Sequence, residues 1–326
     1  MTHPSRITNK RILYTCLDWG LGHVTRSVDI IRELQKNQNI ILFCGTEFQI
    51  SCIQQWLPDL DTFVLQQRTI QFKGDNRFNR EAMRNVLNVF RQTKQLQKEV
   101  QNLCVHFQPD ILISDHVYAF HSKTIPSILI THQVSLPAST PYWIKAIHRQ
   151  FLKKFNFLWV VDSPDLKLAG LLSDLTKNAS YIGIRSRFIP TNGNQENSHP
   201  NYGVLLLSGP EVYANQLLKL FPEKYQFRFV LISPYDVPKT VSNHFHAVIK
   251  ATDKQADSWI QCCSILVSRN GYSTLMDLVR LDKRAILIPT KGQHEQEYLA
   301  TRTIDKVCYA TNQQELEQIL SAFISL

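Results

Sequence analysis

Apolar residues in this chain fall in short continuous runs, each closed at its carboxyl end by glycine, proline or a polar cluster. Buried strands of parallel sheets have this pattern, and the stretches between them repeat with helical spacing. Residues 11–16 (RILYTC), 40–44, 62–65, 111–114, 127–131, 157–161 and 181–184 read as strands of a first series. Residues 204–207, 227–233, 247–249, 264–267 and 285–288 read as a second. Helical periods cover 27–35, 79–107, 211–220, 275–281 and 314–324. Strand and helix alternate throughout, which predicts an α/β protein. Between the two series lies PTNGNQENSHPN, residues 190–201, without an apolar side chain and rich in turn formers. This places an N-terminal domain at 1–189, a linker at 190–201 and a C-terminal domain at 202–326.

The polar clusters stand where open parallel sheets bind ligands, at the carboxyl ends of strands. In the first series these are Gly20, Gly22 and His23, then Asp115 to Tyr118, then His132 and Gln133. In the second they are Ser208-Gly209-Pro210, Arg269-Asn270-Gly271 with Ser273 and Thr274, and Gln293 to Glu297. Gly271 and Gly292 allow close backbone approach ahead of helix starts that favour anionic oxygens, which suits a phosphorylated ligand. A dinucleotide fingerprint would want a third glycine where Thr25-Arg26 stands, although Glu47 could pose as its ribose acid. A structural His23 capping its own loop is the plainer alternative.

The segment from Ser268 to Ala300 resembles the donor-binding region of two-domain GT-B glycosyltransferases, in particular family 28. That family includes the lipid-intermediate N-acetylglucosaminyltransferase of peptidoglycan synthesis and the galactolipid synthases. Arg269-Asn270-Gly271 answers to an R-S-G turn, with Asn270 in place of the commoner serine, and Ser273 and Thr274 follow it. Asp277 stands where an acid binds the nucleotide ribose, and Gln293, Glu295, Gln296 and Glu297 match the cluster that holds donor-sugar hydroxyls. Upstream, Gly20, Gly22 and His23 match a G-x-G-H turn, Asp115 and Tyr118 an S-D-x-x-Y pattern, and His132-Gln133 the end of T-H-Q.

The resemblance covers nearly the whole chain and implies two Rossmann-like domains facing across a cleft. It implies inverting transfer of a hexosyl or N-acetylhexosaminyl group from a nucleotide-diphosphate sugar, expected to be a UDP-sugar, to a hydroxyl acceptor that is lipid-linked in several members. His23 is then the general base supported by Asp115, while Arg269 and helix N-termini stabilise the leaving diphosphate without a metal or cofactor. Gly20, Gly22, Tyr118, His132 and Gln133 fall on the acceptor side. Gly209 is a lone glycine in the diphosphate-facing loop, where the family places more, and the last helix is expected to pack back on the N-terminal domain. Two other functions fit the same residues: a nucleotide-sugar epimerase, and a sugar-nucleotide-binding protein without catalysis.

Composition narrows this picture little. With 326 residues, 44% hydrophobic and 19% charged, the chain can bury two cores. A net charge of +9 and a pI near 9.2 favour an anionic partner without naming one, and beside the resemblance no nucleic acid is expected. From 142 to 159, Lys145, Arg149, Lys153 and Lys154 interleave with Trp143, Ile144, Ile147, Phe151 and Phe155, and no acid occurs between His116 and Val161. Such a helix can lie on an anionic membrane surface or pack its apolar stripe on the domain's own sheet. The polar start and the lack of a long apolar window predict a cytoplasmic protein, and the basic helix, in its membrane reading, would place it peripherally on the membrane's inner face. The seven cysteines form no C-x-x-C pair and read as core thiols. Asp59-Leu60-Asp61 spells D-x-D in a turn context, His244 and His246 lack a third ligand, and residues 66–80 read as a basic, anion-binding or acceptor-binding stretch.

Overall fold

The structure, a computed structural model, describes residues 1–65, 86–189, 202–222, 227–253 and 255–324. The basic stretch at 66–80, the linker at 190–201 and the first turns of the helix expected from 79 lie outside these residues. The chain divides into two compact units, one reaching Arg187 and one beginning at Phe188.

The N-terminal unit holds strands β1 (Arg11–Cys16), β2 (Ile40–Gly45), β3 (Asp61–Val64), β4 (Ile111–Asp115), β5 (Ser127–Thr131), β6 (Phe157–Val160) and β7 (Ala179–Tyr181). Their order is β3-β2-β1-β4-β5-β6-β7, with every pair parallel. Helices α1 (Leu21–Lys36), α2 (Glu47–Ile53), α3 (Val86–Phe107) and α4 (Tyr142–Leu152) connect them. The C-terminal unit holds β8 (Tyr202–Leu206), β9 (Arg228–Ser233), β10 (Ala247–Lys250), β11 (Ile265–Arg269), β12 (Ala285–Ile288) and β13 (Val307–Tyr309), in the parallel order β10-β9-β8-β11-β12-β13. Its helices are α5 (Glu211–Leu220), α6 (Lys239–Ser242), α7 (Gln255–Cys262), α8 (Tyr272–Leu281), α9 (His294–Leu299) and α10 (Gln313–Ile324). Both sheets are doubly wound. The direction of winding reverses between β1 and β4, and again between β8 and β11, and such switch points open the crevices that take ligands.

Strands β4, β5, β11 and β12 are buried at every residue, which is why they read as unbroken apolar runs. Leu13, Leu112, Val100, Leu103 and Phe120 centre one core, and Leu205, Val267 and Ile286 centre another. Leu316 and Leu320 of α10 lie in that second core with Ile319 and Phe323 against it, so the apolar face of the last helix is engaged within its own unit. Among the described residues no helix is long and apolar enough to cross a membrane.

Two boundaries depart from the pattern reading, and other elements escape it. Helix α1 starts six residues before the expected Ser27, because Gly20 takes φ 101, a backbone region costly for other residues, and brings the chain straight into the helix. Strand β7 ends where 181–184 was expected to begin, while the backbone N–H groups of Ile182 and Gly183 donate to Val160 and Asp162 carbonyls. Helix α2 and strand β13 escape the hydrophobic pattern, although α2 opens on a capping box between Thr46 and Gln49.

Candidate active site

The switch point of the first sheet gathers five charged or titratable side chains. Asp115, the last residue of β4, is fully buried, and its carbonyl accepts from Leu17 N–H at 2.9 Å, tying the glycine loop after β1 to the end of β4. Helix α1 then presents His23 and Arg26 on one face, as i,i+3 spacing requires. Arg26 Nε donates to Asp115 Oδ2 at 2.6 Å and Arg26 Nη2 to Asp115 Oδ1. His23 Nδ1 lies 3.1 Å from Asp115 Oδ1 and 2.9 Å from Arg26 Nη2. The first turn is fixed from behind: Ser27 Oγ donates to His23 O at 2.7 Å, and Tyr14 OH to Ser27 Oγ at 3.0 Å.

His116 follows at φ 61, in the left-handed region that a histidine occupies only when its surroundings hold it. Its Nδ1 lies 3.2 Å from Arg26 Nη2 and its Nε2 3.1 Å from Thr131 Oγ1, to which Gln133 N–H donates at 2.9 Å. The His116 ring lies between those of His23 and His132, with centroids 5.4 and 5.3 Å away. Tyr118 stacks on Phe151 of α4 at 5.2 Å. Gly22, His23 and Tyr118 are half-buried and His132 is buried.

Burial by itself raises the Asp115 carboxyl, but the Arg26 guanidinium and then His23 outweigh it and hold that carboxyl well below the usual range. Burial and Arg26 together lower His23, with Asp115 opposing them. Burial pushes His116 down to about 3, so both rings are neutral near pH 7.

His23, Asp115 and His116 bring three ligand atoms within 4.8 Å of one another, the spacing of a metal site. Arg26 nevertheless bonds both carboxylate oxygens, and its fixed positive charge repels a cation, so the donor set suits an ion-pair network better than a metal. Asp59 and Asp61 are exposed on either side of buried Leu60, and His244 and His246 are exposed near the start of β10.

In the second sheet the clusters end β8, β11 and β12. Gly209 follows β8, and its carbonyl accepts from Tyr235 OH at 2.6 Å. Gly292 has φ 81, as a tight loop demands, whereas Gly271 has ordinary extended backbone and N-caps α8. Ser273 and Thr274 stand in the first turn of α8, with half-buried Asp277 beyond them. Arg269 is the last residue of β11. Its buried guanidinium donates to Tyr213 O at 3.0 and 3.3 Å and to Pro289 O at 3.4 Å, fastening α5 and the end of β12 to β11, and burial lowers it to about 10. Gln296 and Glu297 turn back on their own loop, accepting from Thr290 N–H at 2.8 Å and Gly292 N–H at 2.7 Å. Gln293 and Glu295 are half-buried beside them.

Arg26 and His116 are the site residues that sequence reasoning missed. The usable signal was the H-x-x-R spacing on a helix facing a strand-end aspartate.

Residues 191–323 match the glycosyltransferase family 28 C-terminal domain. No curated protein matches the chain. Similar solved structures include the spinosyn rhamnosyltransferase SpnG complexed with thymidine diphosphate, at TM-score 0.64 and 15% identity over 97% of this chain and 91% of that one. The calicheamicin glycosyltransferase CalG4 gives 0.62 at 10% over 97% and 90%, and MurG of Acinetobacter baumannii 0.58 at 10% over 96% and 90%. At these identities the likeness shows the fold. The chain has the GT-B glycosyltransferase fold, and the family 28 resemblance holds through its C-terminal domain.

Proposed function

We propose that this protein is an inverting, metal-independent glycosyltransferase that moves a sugar from a nucleoside diphosphate, UDP by the family resemblance, to a hydroxyl acceptor. The observation that carries the reading is a histidine held against a buried Asp–Arg pair at one switch point, in a chain whose other unit matches the glycosyltransferase family 28 C-terminal domain. The base role requires His23 to carry its proton on Nδ1 and donate it to Asp115 Oδ1. Arg26 then directs its remaining Nη2 hydrogen to His116 Nδ1. His23 Nε2 takes the acceptor's hydroxyl proton as that oxygen bonds the anomeric carbon, and the bond from that carbon to the diphosphate oxygen breaks on the opposite face. The diphosphate departs with the bonding pair, met by first-turn N–H groups of α8 and the hydroxyls of Ser273 and Thr274. Asp277 holds the ribose, and Gln293 and Glu295 the sugar hydroxyls.

The test is product analysis with a panel of nucleotide sugars and hydroxyl acceptors in EDTA. A glycosylated acceptor is expected, whereas a free nucleotide-sugar epimer would indicate the epimerase and turnover abolished by EDTA a metal. Asp277→Ala should weaken UDP binding by about 1–3 kcal/mol. Unchanged affinity by calorimetry in a folded variant would remove Asp277 from the site.

The acceptor's location is a second part of the proposal. Helix α4 divides its apolar residues: Leu152 and, just beyond it, Phe155 lie in the core, while Tyr142, Trp143 and Ile147 are exposed beside Arg149, Lys153 and Lys154. Trp159, at the end of the 142–159 stretch, is fully buried in β6. The exposed end suits an anionic lipid surface, each basic residue contributing about 1 kcal/mol at low salt. Sedimentation with anionic vesicles should show binding that is lost when Lys145, Arg149, Lys153 and Lys154 are all changed to Gln. Equal binding by both proteins would mean that these four residues do not make the membrane contact and that the helix is a packing element.

A further inference from the structure

The side chain of Asn270 joins that of Arg269 in tying the loops that end β11 and β12. Asn270 is fully buried, and its Nδ2 donates to the main-chain carbonyl of Gln296, in α9, at 2.8 Å. That carbonyl also accepts from Ala300 N–H at 3.0 Å, as the helix itself requires. Helix α9 has six residues, too few to hold its position by its own hydrogen bonds. Within the loop it is closed by Gln296 and Glu297 reaching back to Thr290 and Gly292. Loop and helix thus form a small unit, and Asn270 links that unit to the turn ahead of α8.

The other half of the Asn270 amide is left unsatisfied. Its Oδ1 is buried without a hydrogen-bond partner among the described residues. A fully buried amide bonded on one side only is unfavourable for stability, and an apolar or shorter residue would avoid that penalty. Retaining the amide makes sense if its donor matters. A serine, the commoner residue at this point of the resembling pattern, ends one bond from Cβ and falls short of Gln296 O.

We propose that Asn270 is the positioning residue that couples the nucleotide-holding turn to the sugar-holding cluster and thereby sets discrimination among donor sugars. The inference rests on the donor assignment above. Asn270 acts through α9: its bond fixes the helix that carries Glu295 and follows Gln293, while the first turn of α8 and Asp277 hold the nucleotide independently of it.

Calorimetry with UDP and with each of several UDP-sugars, on wild type, Asn270→Ser and Asn270→Asp, separates these roles. The serine hydroxyl falls short of Gln296 O and an ionised aspartate carries no donor for it, and thermal melting establishes that each variant is folded. Asn270→Ser decides the matter should the aspartate variant not fold. UDP affinity is expected to stay within about twofold, while the added affinity of the preferred UDP-sugar over UDP falls about tenfold, as does its kcat/KM preference over other sugars. Equal losses for UDP and UDP-sugar would make Asn270 a general structural or nucleotide residue and overturn the proposal. Unchanged sugar discrimination in folded Asn270→Ser would overturn it as well. Wild type that binds neither UDP nor any UDP-sugar would instead remove the donor assignment, and this inference with it.

Discussion

His23→Gln is expected to lower turnover by a factor of about 100 to 10,000, the range of a lost general base, while nucleotide-sugar binding in the C-terminal unit stays unchanged. Glutamine keeps much of the ring's volume but cannot accept a proton. The pH profile gives an independent check. Burial and Arg26 hold His23 below the ordinary histidine value of 6.5, and the base works deprotonated. The acid limb of kcat/KM should therefore lie below pH 6.5. An acid limb at or above 6.5, or a His23→Gln variant of near-normal rate, would place the base elsewhere.

Asp115→Asn should be the more damaging change. It removes the negative partner of a guanidinium that is 2% exposed, and breaking a buried pair on one side costs about 3–5 kcal/mol. Urea unfolding should show that loss, and replacing Arg26 by Met in the same variant should recover much of it, because the stranded charge leaves as well. A cost under about 1 kcal/mol would mean that water reaches the pair after all. The pH dependence follows from the directions of the shifts. The lowered Asp115 carboxyl contributes stability that is full above the unfolded value of 3.8 and is lost as pH falls through its folded value, well below that. His116 is buried neutral with a value of about 3, so its contribution is full above 6.5 and erodes as pH falls from there toward 3.

Much of the fold was legible because parallel strands covered on both faces must be apolar throughout. Residues 111–114 and 285–288 could be little else. The polar residues that end such strands were equally visible, and with them His23, Asp115, Asn270 and the 293–297 cluster. Arg26 was not, because an arginine inside a helix ordinarily points to water. Only the return of the chain at Asp115, 89 residues later, makes a buried place for it. His116 was hidden differently, since its role follows from a positive φ that no pattern of side chains announces. Arg269 was legible as a cation, but its bonds to carbonyls were not. The sequence placed it beside the phosphate turn, whereas packing turned the side chain onto two carbonyls.

Asp115 pairs across β4 with Cys16 of β1 on one side and Ile130 of β5 on the other, in the middle of a seven-stranded sheet. Backbone so placed opens to solvent only when the whole domain unfolds, whereas the ends of helices open on far smaller fluctuations. The acidic half of the dyad is thus anchored in the slowest-exchanging part of the unit and the imidazole half in the first turn of a helix entered through glycine. Adjustment to an arriving acceptor then falls to His23 and the loop before it, and amide exchange should be fast from Gly20 to His23 and slowest along β4.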